Sequence, residues 1–179
     1  MTQIVVKRPG EAKLKDLFKP GTVGKYTVKN RIKYGACCVS NYNGRDGTIT
    51  PRELARVRVI AGTGCGLITN QGAYPDPWGE GKAYFRQVAI HDDKFLPQFE
   101  MIARYIHDAG AMAMQQILHA GRYGGIDLGY CIQPSVVPQT LPHFRPPREM
   151  TKEQIAVTAK QHADAALAQD RAGGVRAVA

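Results

Sequence analysis

The sequence predicts an α/β fold built around a parallel sheet, and three features of the chain indicate it. Strand-like and helix-like segments alternate in the order β-α-β-α-β-α-β, and the strand-like segments are nearly continuous apolar runs. The loops after the strands are long and carry most of the unusual residues, as expected where a ligand binds at the carboxyl ends of parallel strands. We expect residues 1–29 to form a lead-in with a short hairpin and residues 30–179 to form the βα units.

The first strand and the first helix are predicted from short local signals. Residues 30–40, NRIKYGACCVS, become small and β-branched in their second half and lead into a polar turn, which is typical of a buried strand that ends in a loop. Thr50 is a good helix N-cap, Pro51 suits the first helical position, and Glu53 stands where a capping box needs an acidic residue. This helix is expected to run to about Ala61.

A second strand and a second helix follow along the chain. Residues 65–74, CGLITNQGAY, are predicted to form the strand, and the Pro- and Gly-rich residues 75–90 are predicted to form a loop. Asp92 or Asp93 is expected to cap the second helix, which ends at a favourable glycine, Gly110. The apolar residues of this helix recur at the spacing of one face: Phe95, Phe99, Ile102, Ala103 and Ile106.

One more strand, a long loop and a third helix complete the predicted pattern. Residues 111–119, AMAMQQILH, are predicted to form the third strand, and the Pro-rich residues 119–150 are predicted to form the loop. Thr151 and Gln154 are placed to form a capping box at the start of the third helix. Residues 175–179 are expected to begin a fourth strand.

Composition and cysteine content exclude several classes of protein. The 179-residue chain is 44% apolar and 22% charged, which is a globular composition, and no apolar run is long enough for a transmembrane helix. The N-terminus has no apolar core followed by a cleavage site, so no signal peptide is expected. The four cysteines form no CxxC pair, so we expect neither a metal site nor a secreted disulfide framework. These features favour a cytoplasmic protein.

The chain is basic, and its formal net charge is +9. A basic surface of this kind is either an ordinary solvated surface or a surface that attracts an anionic partner, such as a phosphate-bearing substrate. No basic motif interleaved with aromatic residues is present, so a nucleic-acid partner is not expected.

Small or polar residues interrupt all three strands near their carboxyl ends. The first strand has a run of small residues there, the second has Asn70, Gln71 and Gly72, and the third has Gln115 and Gln116. Small residues let a flat ligand approach the backbone, and a glutamine can both donate to and accept from a heterocycle. Alternatively, these amides bond one another or water inside an ordinary core, because a buried amide without a partner is costly.

Other polar residues near these strand ends have simple structural explanations as well. His119 can be a hydrogen-bonded histidine that orients its loop, and Cys37 and Cys38 can be inert buried thiols. The spacing of these residues forms no hydrolytic triad. Neither GxGxxG nor GxxxxGK[ST] is present, so a Rossmann dinucleotide site and a P-loop have no support.

Four segments of the chain resemble the old yellow enzyme family of FMN-dependent oxidoreductases. They are LFKPGTVGKYTVKNRIKYGAC, GLITNQGAY, MQQILHAGR and the Pro-rich loop that leads into MTKEQI, and the resemblance covers residues 15–172. The most similar branch includes the 2,4-dienoyl-CoA reductases, other NADH:flavin oxidoreductases and related enoate reductases. The resemblance implies a TIM (β/α)8 barrel, of which this chain carries about three and a half βα units.

The resemblance also implies a reaction and a set of cofactor contacts. NAD(P)H would reduce FMN at the carboxyl face of the barrel, and the flavin would pass hydride to an activated C=C bond of an enone or an enoyl- or dienoyl-CoA. The segment 35–38 would run past the isoalloxazine ring, Gly72 would offer its backbone N–H, and Gln116 would be buried against the pyrimidine edge. The implied cofactor residues are therefore Gly35, Ala36, Cys37, Cys38, Gly72 and Gln116.

The chain departs from the family pattern at two places in the first strand segment. Ala36 stands where the family usually has proline. Cys38 stands where some members carry a cysteine that tunes the flavin potential, but Ser40 replaces the substrate-side tyrosine of those members, with Tyr42 two residues on.

The resemblance places the catalytic residues beyond residue 179. The pair that holds the substrate carbonyl, the tyrosine proton donor and the FMN phosphate site would all follow there, as would the iron–sulfur cluster and FAD domain of the dienoyl-CoA reductase branch. We therefore expect this chain to be the amino-terminal half of the domain, inactive by itself, and completed by a complementary half-barrel or a second copy. The alternative is a non-catalytic half-barrel that acts only by association.

Overall fold

A computed structural model describes residues 13–138, 145–171 and 176–178 of the chain, the last range as backbone only. The helices and strands, in chain order, are β1 (Gly21–Val23), β2 (Tyr26–Val28), β3 (Lys33–Tyr34), α1 (Pro51–Ala61), β4 (Leu67–Ala73), α2 (Leu96–Asp108), β5 (Met112–Ile117), β6 (Cys131–Gln133), β7 (Pro147–Glu149), α3 (Lys152–Arg171) and β8 (Arg176–Val178). Within these ranges, no helix combines the length and the apolar character that crossing a membrane requires.

The main sheet has four parallel strands in the order β3-β4-β5-β8, which confirms the predicted parallel α/β arrangement. One helix connects each strand to the next, since α1, α2 and α3 lie between them in the chain. The predicted hairpin is confirmed as the antiparallel pair β1-β2. The residues 1–12 of the lead-in lie outside the described residues.

The two faces of the sheet differ in what covers them. Along β5, Ala113 and Ile117 are buried against the helices and Gln115 between them is buried too, whereas Met114 and Gln116 are only half-buried. We call the side of the sheet turned away from the helices the inner face; Met114 and Gln116 lie on it. The hairpin β1-β2 covers the amino-terminal end of this face, where Val28 and Met114 line one cavity of about 290 Å³.

The second helix buries the stripe that the sequence predicts. All five of its predicted apolar residues are buried: Phe95, Phe99, Ile102, Ala103 and Ile106. Asp92 is the cap, because its side chain accepts a hydrogen bond of 2.9 Å from the Lys94 N–H. It caps a single turn of 3₁₀ helix, Asp93–Phe95, that leads directly into α2.

The capping box predicted for the first helix is wrong. Thr50 lies at the N-cap, but its hydroxyl donates to the carbonyl oxygen of Tyr42 and leaves the helix end uncapped by a side chain. Glu53 is fully buried and pairs with Arg56 through bonds of 2.8 and 2.5 Å. A basic residue one turn away competes successfully for the carboxylate, and burial favours that ion pair.

The capping box predicted for the third helix is confirmed. The Thr151 N–H donates to Gln154 Oε1 at 2.8 Å, and the Gln154 N–H donates to Thr151 Oγ1 at 3.2 Å. The fourth strand is confirmed as β8, which pairs with β5 in parallel. Val175 and Ala179, at the ends of that predicted strand, lie outside the described residues.

Two predicted boundaries are wrong. The buried strand expected over residues 30–40 is reduced to β3, because only Lys33 and Tyr34 pair with β4 and the residues after them leave the sheet. The long loop 119–150 contains regular structure, since β6 and β7 form a small parallel sheet in which Cys131 and Ile132 are buried. Three-residue strands are too short to show a period in sequence. Residues 139–144 of this loop lie outside the described residues.

Candidate functional site

A bulge in β4 shapes the carboxyl end of the inner face. Asn70 pairs with Gln115 and Ala73 pairs with Ile117, so three steps along β4 match two steps along β5. The extra residue changes the alternation of side chains, and Ala73 lies in the core beneath the helices. Gly72 is turned to the inner face.

Gly72 lies directly beside Gln116. A Cβ atom built on Gly72 would lie 2.6 Å from the Cβ of Leu118 and 3.0 Å from Gln116 Oε1. Real Cβ atoms essentially never come as close as 2.6 Å to another heavy atom, so any side chain at position 72 would displace Leu118. The glycine therefore keeps the backbone of β4 close to the Gln116 amide.

The two adjacent glutamines of β5 have different roles. Gln115 is buried and bonded to other amides: its Oε1 accepts from Asn70 Nδ2 at 2.9 Å, and its Nε2 donates to the Gln71 carbonyl at 2.7 Å. For Gln115, the interpretation that the amides bond one another is therefore correct. Its bonds hold β4 and β5 together at the bulge.

Gln116 is half-buried, so the expectation that it is buried is wrong for the chain as it stands. It occupies the inner face because side chains alternate along a strand, and the helices cover only the opposite face. The structure gives its side-chain amide no hydrogen-bond partner within the described ranges. An amide donor and an amide acceptor thus lie together beside Gly72.

Tyr84 links the loop after β4 to the same site. Its hydroxyl donates to Gln71 Oε1 at 2.9 Å and lies 3.4 Å from the Gly72 carbonyl oxygen. Burial raises the pKa of the Tyr84 hydroxyl, and a side-chain contact with Cys38 adds to the rise. Tyr84 therefore remains a neutral donor at physiological pH and brings Cys38 towards the bulge.

Gln71 has a buried donor that no described group satisfies. The side chain is fully buried and its Oε1 accepts from Tyr84, but its Nε2 has no hydrogen-bond partner in the described part of the chain. Gln87 supports the same bulge from the loop, since its Nε2 donates to the Gly72 carbonyl at 2.9 Å. An unsatisfied buried amide is costly, so a ligand acceptor here would be stabilising.

The segment after β3 is exposed, and its residues point to different neighbours. Gly35, Cys37 and Cys38 are exposed and Ala36 is half-buried, so the interpretation of the cysteines as buried thiols is wrong. Cys37 contacts the hydroxyl of Tyr34, away from Tyr84. The site thus brings Cys38 towards Gly72 and Gln116 but leaves Cys37 outside this contact network. A Cβ atom built on Gly35 would meet nothing within 4 Å, so there is open space above the segment.

His119 matches its interpretation as a histidine that orients the loop. Its Nδ1 accepts from the Gly121 N–H at 3.1 Å, and its ring centroid lies 6.2 Å from that of His162. Burial lowers the pKa of the His119 imidazole, so the ring is neutral at physiological pH.

Sequence reasoning missed Gln71 and Tyr84 as site residues. Gln71 stands between Asn70 and Gly72 in an interruption that the sequence does reveal, so its signal was available. Tyr84 lies in the irregular loop 75–90, where no periodicity indicates the direction of a side chain.

The geometry fits one edge of a flat heterocycle. Gly72 lets the backbone approach, the Gln116 amide offers a donor and an acceptor, and Gln71 has an unsatisfied buried donor. A ring with alternating N–H and C=O groups is complementary to this set. The isoalloxazine of a flavin has such an edge.

A sequence model of the NADH:flavin oxidoreductase / NADH oxidase family matches residues 16–175 of this chain. The chain belongs to this family. The description of this family names an oxidoreductase activity and a flavin.

Solved structures of old yellow enzyme relatives share the fold. The chain is 31% identical to a 2-naphthoyl-CoA reductase in complex with 2-naphthoyl-CoA, with a TM-score of 0.82 over 91% of this chain and 27% of that one. It is 25% identical to an old yellow enzyme homologue from Zymomonas mobilis, with a TM-score of 0.73 over 90% of this chain and 48% of that one. For the Old Yellow Enzyme of a Pichia species the identity is 24% and the TM-score 0.77, over 90% of this chain and 45% of that one. The chain thus spans less than half the length of these structures and has the fold of part of a TIM barrel.

Proposed function

We propose that the inner face of this chain binds the isoalloxazine ring of FMN, and that the chain acts in an NAD(P)H-dependent ene-reductase. The observation that carries the proposal is the juxtaposition of Gly72 and the Gln116 amide on the inner face of the sheet, with the unsatisfied donor of Gln71 next to Gly72 in the chain. When bound, the flavin would supply hydride transfer to an activated C=C bond. Family membership supports this chemistry.

The residues of the chain would orient the ring and stabilise negative charge on it. The Gln116 amide and the Gly72 N–H would bond its pyrimidine edge, and such donors stabilise the charge that grows on the ring during reduction. Cys38 would lie near the ring together with Tyr84, and Gly35 and Ala36 would border it with their backbone. Cys37 contacts Tyr34 instead, so we assign it a backbone role only.

The substrate class that we propose is an unsaturated carbonyl compound, such as an enone or an enoyl- or dienoyl-CoA. The structure of the 2-naphthoyl-CoA reductase relative holds an acyl-CoA, and morphinone reductase, another structural neighbour, was solved with tetrahydroNAD. We also propose a reducing, cytoplasmic location, because the four cysteines are free.

Riboflavin binding tests the proposed site for the flavin ring around Gly72 and Gln116, which we call the ring site. Riboflavin carries the ring without the phosphate, so its affinity reports on the residues proposed to contact the ring and not on a phosphate site. We expect quenching of riboflavin fluorescence on titration with the chain, and we expect Gln116→Leu to weaken binding about tenfold, which is the effect of losing one or two buried hydrogen bonds.

Met114→Leu is the matched control for that variant. Met114 lies on the same face of β5 two residues earlier, and this volume-conserving change removes no polar group. Riboflavin affinity should stay unchanged in this variant. Equal affinity of the wild-type chain and Gln116→Leu would refute the assignment of Gln116.

A second candidate function, association without catalysis, is favoured by the edges of the main sheet. In the described residues, β3 and β8 are its outer strands, and uncovered strand edges recruit partners. We propose that the chain self-associates or binds a complementary half-barrel, and that it has no steady turnover as a monomer because eight strands are needed to close a barrel. Analytical ultracentrifugation tests the association, and steady NAD(P)H-dependent enone reduction by the monomeric chain would refute the second claim.

A further inference from the structure

A basic pocket lies beside the candidate ring site, between the loop after β3 and the loop after β4. Its volume is about 400 Å³, and it is lined by Asn41, Arg45, Lys82, Phe85, Arg86 and Asp127. The two loops are bonded to each other, since the Asn41 N–H donates to the Phe85 carbonyl at 3.1 Å. Both loops follow strands of the parallel sheet, so the pocket is at the carboxyl end where ligands of such sheets bind.

The charges of the basic pocket are not balanced. Lys82 is paired with Asp127 at 2.6 Å, and Asp127 is the one acidic residue in the lining. Within the described residues, Arg45 and Arg86 have neither an ion pair nor a hydrogen bond. Two arginines without a counter-charge therefore line one cavity, and arginines in such a setting bind phosphate groups.

The backbone of the basic pocket is held in an unusual conformation. Asn41 has a φ of 64° and Arg86 a φ of 58°, and they are the two non-glycine residues with positive φ among those described. Both line this pocket. Left-handed backbone costs free energy at an arginine and clusters where ligands are clamped.

The basic pocket and the ring site share one short stretch of chain. Tyr84, which contacts Gln71 and Cys38, directly precedes Phe85 and Arg86. Phe85 is 53% exposed and lines the pocket together with the two arginines, so it can offer an aromatic surface there. An aromatic face beside phosphate-binding cations is complementary to an adenosine phosphate, because the base can stack while the phosphates pair with arginine.

We infer that the basic pocket binds the adenosine phosphate end of a ligand whose reactive end reaches the inner face. This inference rests on the proposed function. It identifies the part of the substrate or of the reductant that this chain would bind away from the reacting atoms. The shared chemistry is adenosine with phosphate groups, which coenzyme A thioesters and nicotinamide dinucleotides both carry. The position of the ribose phosphate distinguishes these two sources.

Calorimetric titration of the full chain with two small probes tests the inference. Adenosine 3′,5′-bisphosphate represents the coenzyme A end, and adenosine 2′,5′-bisphosphate represents the NADPH end. We expect binding that weakens about tenfold in Arg45→Gln and in Arg86→Gln, because each variant loses one charge-assisted contact. Arg86→Lys should retain most of the affinity, and Arg104→Gln, an exposed position on α2, is the control that should change nothing.

The outcomes separate this inference from the proposed function. Tighter binding of the 3′,5′ probe indicates that the pocket binds an acyl-CoA, and tighter binding of the 2′,5′ probe indicates that it binds a nicotinamide dinucleotide. The inference is overturned if neither probe binds. It is also overturned if the double variant Arg45→Gln, Arg86→Gln binds the probes as tightly as the wild-type chain. Riboflavin has no phosphate, so its binding should be unchanged in these variants. If a bisphosphate binds in an arginine-dependent way but riboflavin does not bind, the proposed flavin site is refuted and the basic pocket is supported.

Discussion

The buried ion pair between Glu53 and Arg56 in α1 allows a quantitative test of what stabilises the fold. The Glu53 side chain is fully buried, and Arg56, its partner at 2.5 Å, is 15% exposed. Glu53→Gln keeps the size of the side chain but leaves the guanidinium without a counter-charge. Breaking a buried pair lowers the free energy of unfolding by roughly 3–5 kcal/mol. Because Arg56 is partly exposed, we expect a loss of about 3 kcal/mol here.

Urea unfolding followed by far-ultraviolet circular dichroism measures this cost. With an m-value of about 2 kcal/mol per molar urea, a loss of about 3 kcal/mol lowers the midpoint by about 1.5 M. Asp164→Asn is the matched control, because the pair of Lys160 and Asp164 spans 2.6 Å but is 73% and 57% exposed. Solvent screens such a pair, so its midpoint should not move measurably. A midpoint shift for Glu53→Gln as small as that of the control would show that water reaches Arg56 and that the argument from burial is wrong.

Three further predictions concern single positions. Gly72→Ala should cost about 1–3 kcal/mol through overpacking, because the new Cβ would lie 2.6 Å from Leu118, and adding Leu118→Ala should recover part of that loss in urea unfolding. Thr151→Ala should cost about 1 kcal/mol of the same unfolding free energy, since the cap of α3 is lost, and Thr151→Ser should cost little. Burial lowers the pKa of His119 below 6.5, so its contribution to stability is complete above that pH and is lost as the pH falls through the folded-state pKa. His119→Gln should therefore make the urea midpoint less dependent on pH between about pH 7.5 and pH 5, and an unchanged slope would contradict this.

The regular elements were predictable where their signals are local and long. The α2 stripe spans three turns, so five apolar residues repeat at helical spacing and all five are buried. The capping box at Thr151 was predictable because the Gln154 side chain bonds the Thr151 N–H, as the local pattern requires. At the first helix the same signal failed, since Arg56 takes the carboxylate of Glu53.

The site was predictable only where the polar residues stand inside a strand. Gln116 and Gly72 interrupt apolar strands, and the resemblance to known enzymes assigns them roles. Which of two adjacent glutamines faces which side depends on the position of the helices, and a count of residues in one strand does not contain that information. Tyr84 and Arg86 are brought to the site by an irregular loop, whose path follows from hydrogen bonds between segments far apart in the chain.

The extra residue in β4 determines to which face of the sheet the following side chains of the strand point. Because side chains alternate along a strand, deleting one residue between Asn70 and Ala73 would reverse the facing of Ala73, which now lies in the core beneath the helices. The same deletion would carry the glycine away from Gln116. The burial of Ala73 and the closeness of Gly72 to Gln116 thus depend on the same extra residue, so removing the bulge would disturb both the core and the proposed binding face.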